Sequence, residues 1–183
     1  MSFVIGLATV NYGIVISDGR ACKNDSILTE YFNKTRKIGD VLIGFSGEAE
    51  LGIESLENIK PHSNASATEI AELLCEYLRN KKLPSSRKCN FVIVGPNTSN
   101  QMEVYSFGIS NGLKIDIKTP DAQNIQFVAL SSDAIPNPTR LVVQRFNHPA
   151  ASIKEGLTDV IRFAAELDPS VNKNCFVQET SLS

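Results

Sequence analysis

The first 46 residues contain no stretch with helical periodicity, and this constrains the fold more than any other feature of the chain. Ser2–Val10 is apolar and β-branched, and it is too short and too Gly-containing for a helix. It predicts a buried strand. Asn11-Tyr12-Gly13 supplies a turn, and Gly13–Asp18 reads as the return strand. An extended stretch, Gly19–Asn33, follows with polar breaks at Lys23-Asn24-Asp25. Lys34–Ile38 and Asp40–Ser46 then form a second strand pair about a Gly39-Asp40 turn.

After Ser46-Gly47 the period changes. Ala49, Gly52, Ile53 and Leu56 recur at helical spacing, and the glutamates beside them crowd the first turns, where the helix dipole favours negative charge. Pro61 ends that helix. Ser66 and Glu69 match a capping box, and Ile70, Leu73, Leu74, Tyr77 and Leu78 form one apolar stripe that runs toward Pro84. Strand signals return at Cys89–Val94, Met102–Ile109, Leu113–Ile117 and Gln126–Leu130, with Asn111-Gly112 predicting a hairpin turn between the second and third. Two further helices are expected over Pro138–Phe146 and Ser152–Leu167, then a last strand over Asn174–Thr180.

Strand runs alternating with helix pairs argue against repeated βαβ units. The simplest arrangement is a four-layer α/β/β/α sandwich (an α+β architecture), two antiparallel sheets flanked by helix pairs, with residues 1–183 as one domain. At 183 residues and 42% hydrophobic content there is material for such a core. Lys+Arg 18 against Asp+Glu 20 leaves no basic excess to collect on a phosphate backbone, so nucleic acid is not an expected partner. No apolar run approaches the roughly 20 residues that span a bilayer. The start has no basic segment ahead of its apolar residues, so no membrane association and a cytoplasmic location are expected. Cys22, Cys75, Cys89 and Cys175 show no metal-ligand spacing, and His62 and His148 are the only histidines, both in expected loops. No metal and no cofactor are expected.

The chain carries none of the phosphate-binding, zinc-hydrolase or nucleophile-elbow motifs. Its N-terminus offers different chemistry. Removal of Met1 leaves Ser2 with a free α-amine, a group whose ordinary pKa lies near 8 and which serves as a base near neutral pH. Such an amine can activate the hydroxyl of its own residue.

The segments SFVIGLATV, GIVISDGRA and NKTRKIGDVLIGFSGEAELG together resemble the proteasome β-subunit family, including the simpler bacterial ATP-dependent proteases built on that fold. The resemblance covers nearly the whole chain. It implies an N-terminal nucleophile hydrolase in which Ser2 takes the place of the family's threonine, with Gly6 four residues on. Asp18 and Arg20 fall at the family's acidic and arginine positions, Lys34 at the catalytic lysine, and Ser46-Gly47 at the start of the first helix. Ser131-Ser132-Asp133 resembles the Gly-Ser-Gly before the third helix, and Asp168 and Ser170 the acidic and seryl positions after the fourth.

The implied mechanism makes Ser2 the nucleophile and its amine the proton relay. Lys34 lowers their pKa values, Asp18 holds Lys34, and the Gly47 N–H receives the oxyanion. Ser132, Asp168 and Ser170 orient the amine. Ala21, Phe45 and Ala49 would line the specificity pocket, with Phe45 limiting its depth and favouring small or medium apolar side chains. The implied activity is hydrolysis of amide bonds in peptides or unfolded polypeptide. The implied partners are further copies in a homo-oligomeric ring and an ATP-dependent unfoldase. Two alternatives keep the fold: an inactive ring subunit acting as a scaffold, and an amidase for a small molecule. The chain departs from the family pattern at Ser2 (Thr), at Asp133 (Gly) and at Val171 (Ser).

Overall fold

The computed structural model describes residues 2–23, 26–131, 135–146 and 152–182. Three strand groups organise it. Strands β1 (Val4–Ala8), β2 (Tyr12–Asp18), β10 (Gln126–Leu130) and β11 (Cys175–Ser181) form one antiparallel sheet in the order β10-β1-β2-β11. Strands β5 (Thr35–Ile38), β6 (Val41–Gly47), β7 (Cys89–Pro96), β8 (Met102–Gly108) and β9 (Asp116–Lys118) form a second in sequential order. Between β2 and β5, β3 (Ala21–Lys23) and β4 (Ser26–Thr29) pair as a separate two-stranded ribbon.

Strand alternation sorts the side chains into layers. From β1 and β2, Phe3, Ile5, Leu7, Ile14 and Ile16 pack against α3 (Pro138–Phe146) and α4 (Ile153–Leu167), chiefly Val142, Leu157, Val160, Ile161 and Ala164. From the second sheet, Val41, Ile43, Phe45, Phe91, Ile93 and Tyr105 pack against α1 (Ala49–Asn58) and α2 (Ala67–Asn80), through Leu51, Leu56, Ile70, Leu74 and Leu78. The opposite faces meet each other, with Val4, Ala8 and Val15 against Leu42, Val92, Val94, Met102 and Val104. The result is the expected α/β/β/α sandwich.

The helix signals act where the sequence places them. Ser66 Oγ accepts the Glu69 N–H at 3.3 Å, and the Glu69 carboxylate accepts the Ser66 N–H at 2.7 Å, closing the capping box at the start of α2. Ser152 caps α4 more simply, its Oγ accepting the Glu155 N–H at 3.2 Å.

Three expectations need correction. Ile53, expected on the apolar stripe of the first helix, is exposed, and Leu51 and Ser55 are buried on that helix with Gly52 and Leu56. Gly19–Asn33 is not simply extended, because Ala21–Lys23 folds back on Ser26–Thr29. Asn111-Gly112 does not make a two-residue hairpin between strands ending at Ile109 and starting at Leu113. A 3₁₀ turn over Ile109–Asn111 follows β8, Gly112 and Leu113 have positive φ, and β9 starts only at Asp116. The reason is local: Asn111 Oδ1 accepts the Gly108 N–H at 3.1 Å, while Ile109 and Leu113 bury their side chains in the α1–α2 core.

Candidate active site

Asp18 is the last residue of β2, and the β1–β2 pairing continues past the strand ends, because the Asp18 N–H donates to Phe3 O at 3.0 Å. That pairing brings the Asp18 carboxylate beside the N-terminal end of β1. Its Oδ1 accepts the Phe3 N–H at 2.8 Å, and its Oδ2 accepts the Arg20 N–H at 2.9 Å. Lys34 lies just before β5, where its carbonyl accepts the Phe45 N–H at 3.1 Å from β6. From there its ammonium crosses to Asp18, 2.6 Å from Oδ1 and 3.2 Å from the backbone oxygen.

The pair is dry, with 2% of the Lys34 side chain and 0% of Asp18 exposed. Burial pushes Lys34 below the ordinary lysine range, and the Asp18 carboxylate opposes that shift without cancelling it. One carboxylate oxygen thus joins a buried ammonium to the amide that follows Ser2. Ser2 itself is 4% exposed.

Gly47 ends β6 with φ +102°. A Cβ there would lie 2.1 Å from the Lys88 carbonyl oxygen, so only glycine fits this turn. The turn is fastened on its far side. The Glu48 N–H donates to Lys88 O at 2.7 Å, and the Glu48 carboxylate takes the Arg87 Nε at 2.5 and 2.7 Å and the Lys88 N–H at 3.3 Å.

No protein-family model matches the sequence, and a search of curated proteins returns no match. Solved structures do match. The chain is similar to eukaryotic HslV from Trypanosoma brucei, with a TM-score of 0.71 at 15% identity over 98% of this chain and 99% of that one. It is also similar to Anbu (ancestral beta-subunit) from Yersinia bercovieri, with a TM-score of 0.75 at 15% identity over 98% of this chain and 81% of that one. The chain has the proteasome β-subunit fold. At that identity the likeness is one of backbone architecture.

Within this proteasome-type fold the candidate residues fall into two groups. Ser2, Asp18, Lys34 and Gly47 come from strand ends on one side of the sandwich, with Lys34 and Asp18 in direct contact. Asp168 and Ser170 follow α4, both buried, and the Ser170 N–H donates to Asp168 Oδ1 at 2.8 Å. The Ser170 hydroxyl is buried and has no hydrogen-bond partner among the described residues. Arg20 links the groups, since its guanidinium donates to the Pro169 carbonyl oxygen. Ser132 and Asp133 lie outside the described residues, as does His148, while His62 is exposed.

Ala21 opens β3 and is 7% exposed, and Ala49 opens α1 and is half-buried. Phe45 is 2% exposed. Its ring meets Phe32 edge-on at 6.3 Å and Phe91 at 6.2 Å, and lies against α1 at Gly52. A separate cleft of about 470 Å³, lined by Gly39, Asp40, Ser66, Glu69 and Asn97 among others, lies at the other end of β6 and holds none of the expected residues.

Sequence reading missed the brace around Arg20. Glu30 accepts from the Arg20 Nε at 3.1 Å and from the Arg20 second amino group at 2.9 Å. Asn172 donates to the Glu30 carbonyl oxygen at 2.8 Å and accepts the Gly19 N–H at 2.8 Å. No local pattern marks Glu30 or Asn172, which sit in loops 142 residues apart.

Proposed function

We propose that this chain is a peptidase of the proteasome type, hydrolysing amide bonds with Ser2 as the nucleophile once Met1 is removed. The observation that carries the proposal is the shared oxygen of Asp18, which ties the Lys34 ammonium to the Phe3 amide beside Ser2.

In the proposed reaction the Ser2 hydroxyl attacks the substrate carbonyl carbon and passes its proton to the α-amine of the same residue. Lys34, held by Asp18, favours the alkoxide and keeps the amine from being fully protonated at neutral pH. The Gly47 N–H stabilises the oxyanion of the tetrahedral intermediate. Its collapse breaks the C–N bond, and the protonated amine gives its proton to the departing amine. Water, deprotonated by the same α-amine, then attacks the Ser2 ester; the ester C–O bond breaks, the amine returns the proton to Ser2 Oγ, and the carboxylic acid is released. Asp168, Ser170 and Ser132 orient the amine, and the unpartnered Ser170 hydroxyl supports that assignment. Ala21, Phe45 and Ala49 line the pocket for the side chain preceding the cleaved bond, and the packed Phe45 ring keeps it shallow. The substrates are peptides or unfolded polypeptide. Further copies of the chain form a ring, served by an ATP-dependent unfoldase.

A second reading, an inactive ring subunit, draws on Val171. Its side chain is buried in the α3–α4 core where the resembled family carries serine.

Intact mass before and after incubation with an epoxyketone or β-lactone separates the two readings. The peptidase reading expects loss of Met1 and one covalent adduct that Ser2→Ala abolishes. Retained Met1 with no adduct overturns it and leaves the scaffold. Light scattering on the native protein reads the assembly, and a monomer overturns the ring.

A further inference from the structure

Glu48 is the N-cap of α1, a position where a short polar side chain ordinarily accepts an N–H from the first helical turn. Its carboxylate makes no such bond. It turns instead to the residues just ahead of β7, where it takes the Arg87 Nε at 2.5 and 2.7 Å, a second Arg87 nitrogen, and the Lys88 N–H at 3.3 Å. Arg87 is itself set in a tight turn, its N–H donating to Pro84 O at 3.0 Å.

This clasp adds little to stability, because the Glu48 and Arg87 side chains are 37% and 42% exposed and ion pairs in that setting are screened by water. What it fixes is the place of the β6–α1 turn. Along an antiparallel strand, successive N–H groups leave by opposite edges. The Phe45 N–H goes to Lys34 O on the β5 edge of β6, and the Glu48 N–H goes to Lys88 O on the β7 edge. The Gly47 N–H, two residues after Phe45 and one before Glu48, therefore leaves by the edge that carries Lys34. The clasp holds the turn from one side of β6, and the proposed oxyanion donor points out of the other.

Gly47 needs such a hold. At φ +102° it occupies a backbone region that glycine enters and leaves freely, so the orientation of its peptide groups depends on what flanks them. On the strand side the flank is the pairing of Gly47 with Cys89, and on the helix side it is Glu48.

We infer that Glu48 and Arg87 are positioning residues that keep the Gly47 N–H aimed at the developing oxyanion; this rests on the peptidase reading and the oxyanion role of Gly47 within it. The guanidinium meets a carboxylate with paired N–H groups in a fixed fork, which sets an angle as well as a distance. A donor displaced by a fraction of an ångström loses transition-state stabilisation while ground-state binding of the substrate persists.

The test follows acylation of Ser2 by a β-lactone, read by intact mass over a range of lactone concentrations, so that the rate at saturation and the half-saturating concentration are obtained separately. The chains are the parent, R87A, E48A, E48A/R87A and R87K. R87A and E48A are each expected to acylate about tenfold more slowly at saturation, with the half-saturating concentration and the melting temperature level with the parent's. The double variant is expected to be slowed no more than either single one, because both residues act through one clasp. R87K keeps the charge but not the fork, and is expected to be as slow as R87A.

Any of five results overturns the inference: R87A acylating at the parent rate; slowing confined to the half-saturating concentration, which reports a reshaped pocket; slowing that tracks a lowered melting temperature; a double variant slowed by about a hundredfold, the product of two independent effects; or R87K at the parent rate, which makes the charge responsible and not the clasp. A parent that forms no adduct removes the peptidase reading and this inference with it. A parent that reacts no faster than R87A removes only the positioning role.

Discussion

The Lys34 ammonium lies 2.6 Å from Oδ1 of Asp18 with both side chains out of solvent, and that same oxygen accepts the amide N–H of Phe3. A buried charge pair depends on both members, since either one alone is left uncompensated in a dry environment. Asp18→Asn is therefore expected to destabilise the fold by about 3–5 kcal/mol. Asp18→Asn/Lys34→Met, which removes both charges, recovers most of that loss without restoring reactivity at Ser2. Urea unfolding and β-lactone labelling of the same variants check the two halves.

Gly47→Ala places a methyl group against the Lys88 carbonyl in a backbone conformation that L-residues avoid. The cost is at least about 2 kcal/mol, relieved only by moving the β6–α1 turn. The expected outcome is a lower urea midpoint together with loss of Ser2 labelling, because the turn carries the proposed oxyanion donor.

Asn172→Ala leaves the Gly19 N–H without its acceptor and removes the tie from Asn172 to Glu30. A loss of about 1–3 kcal/mol follows from unpairing buried polar groups. Hydrogen exchange at Gly19, followed by mass spectrometry of the peptides spanning β2 and β3, should rise in the variant, and an unchanged rate there would sink the assignment.

Acid stability follows from the exposed carboxylates. Hydrogen bonds from Arg20 and Asn172 hold Glu30 below the ordinary glutamate value of 4.5, and the Ser66 amide and hydroxyl hold Glu69 below it as well. A depressed carboxylate binds fewer protons folded than unfolded, so its stabilisation is complete above about 4.5 and is lost as pH falls through the folded value. Urea midpoints are expected to hold from neutral pH down to that point and then fall. Glu69→Gln keeps the capping geometry but removes one titrating group, so its acid slope is shallower than the parent's.

Much of the fold was legible because it is written in local periodicity. The continuous apolar runs GIVISD and DVLIGFS report strands buried on both faces, the 3.6-residue stripe of α2 reports which side of that helix is apolar, and the Ser66–Glu69 box marks a helix start whatever surrounds it. Asp18, Lys34 and Gly47 were legible as candidates only through the resemblance to the proteasome β-subunit family, and each lies at or beside a strand end. The β8–β9 connection was misread because Asn-Gly predicts a turn type but not whether Ile109 and Leu113 find a core to enter.

By itself, then, the sequence determined the order of the four helices and of the strands outside the β3–β4 ribbon, together with the apolar stripe and capping box of α2. Only the tertiary structure decided that Glu30 would meet Asn172 and that Gly44 would stand against Val4 and Val15 between the sheets. Periodicity records which way a side chain points relative to its own backbone. What it meets there is set by the stacking of two sheets whose strands lie far apart in the chain, through packing contacts that no local pattern encodes.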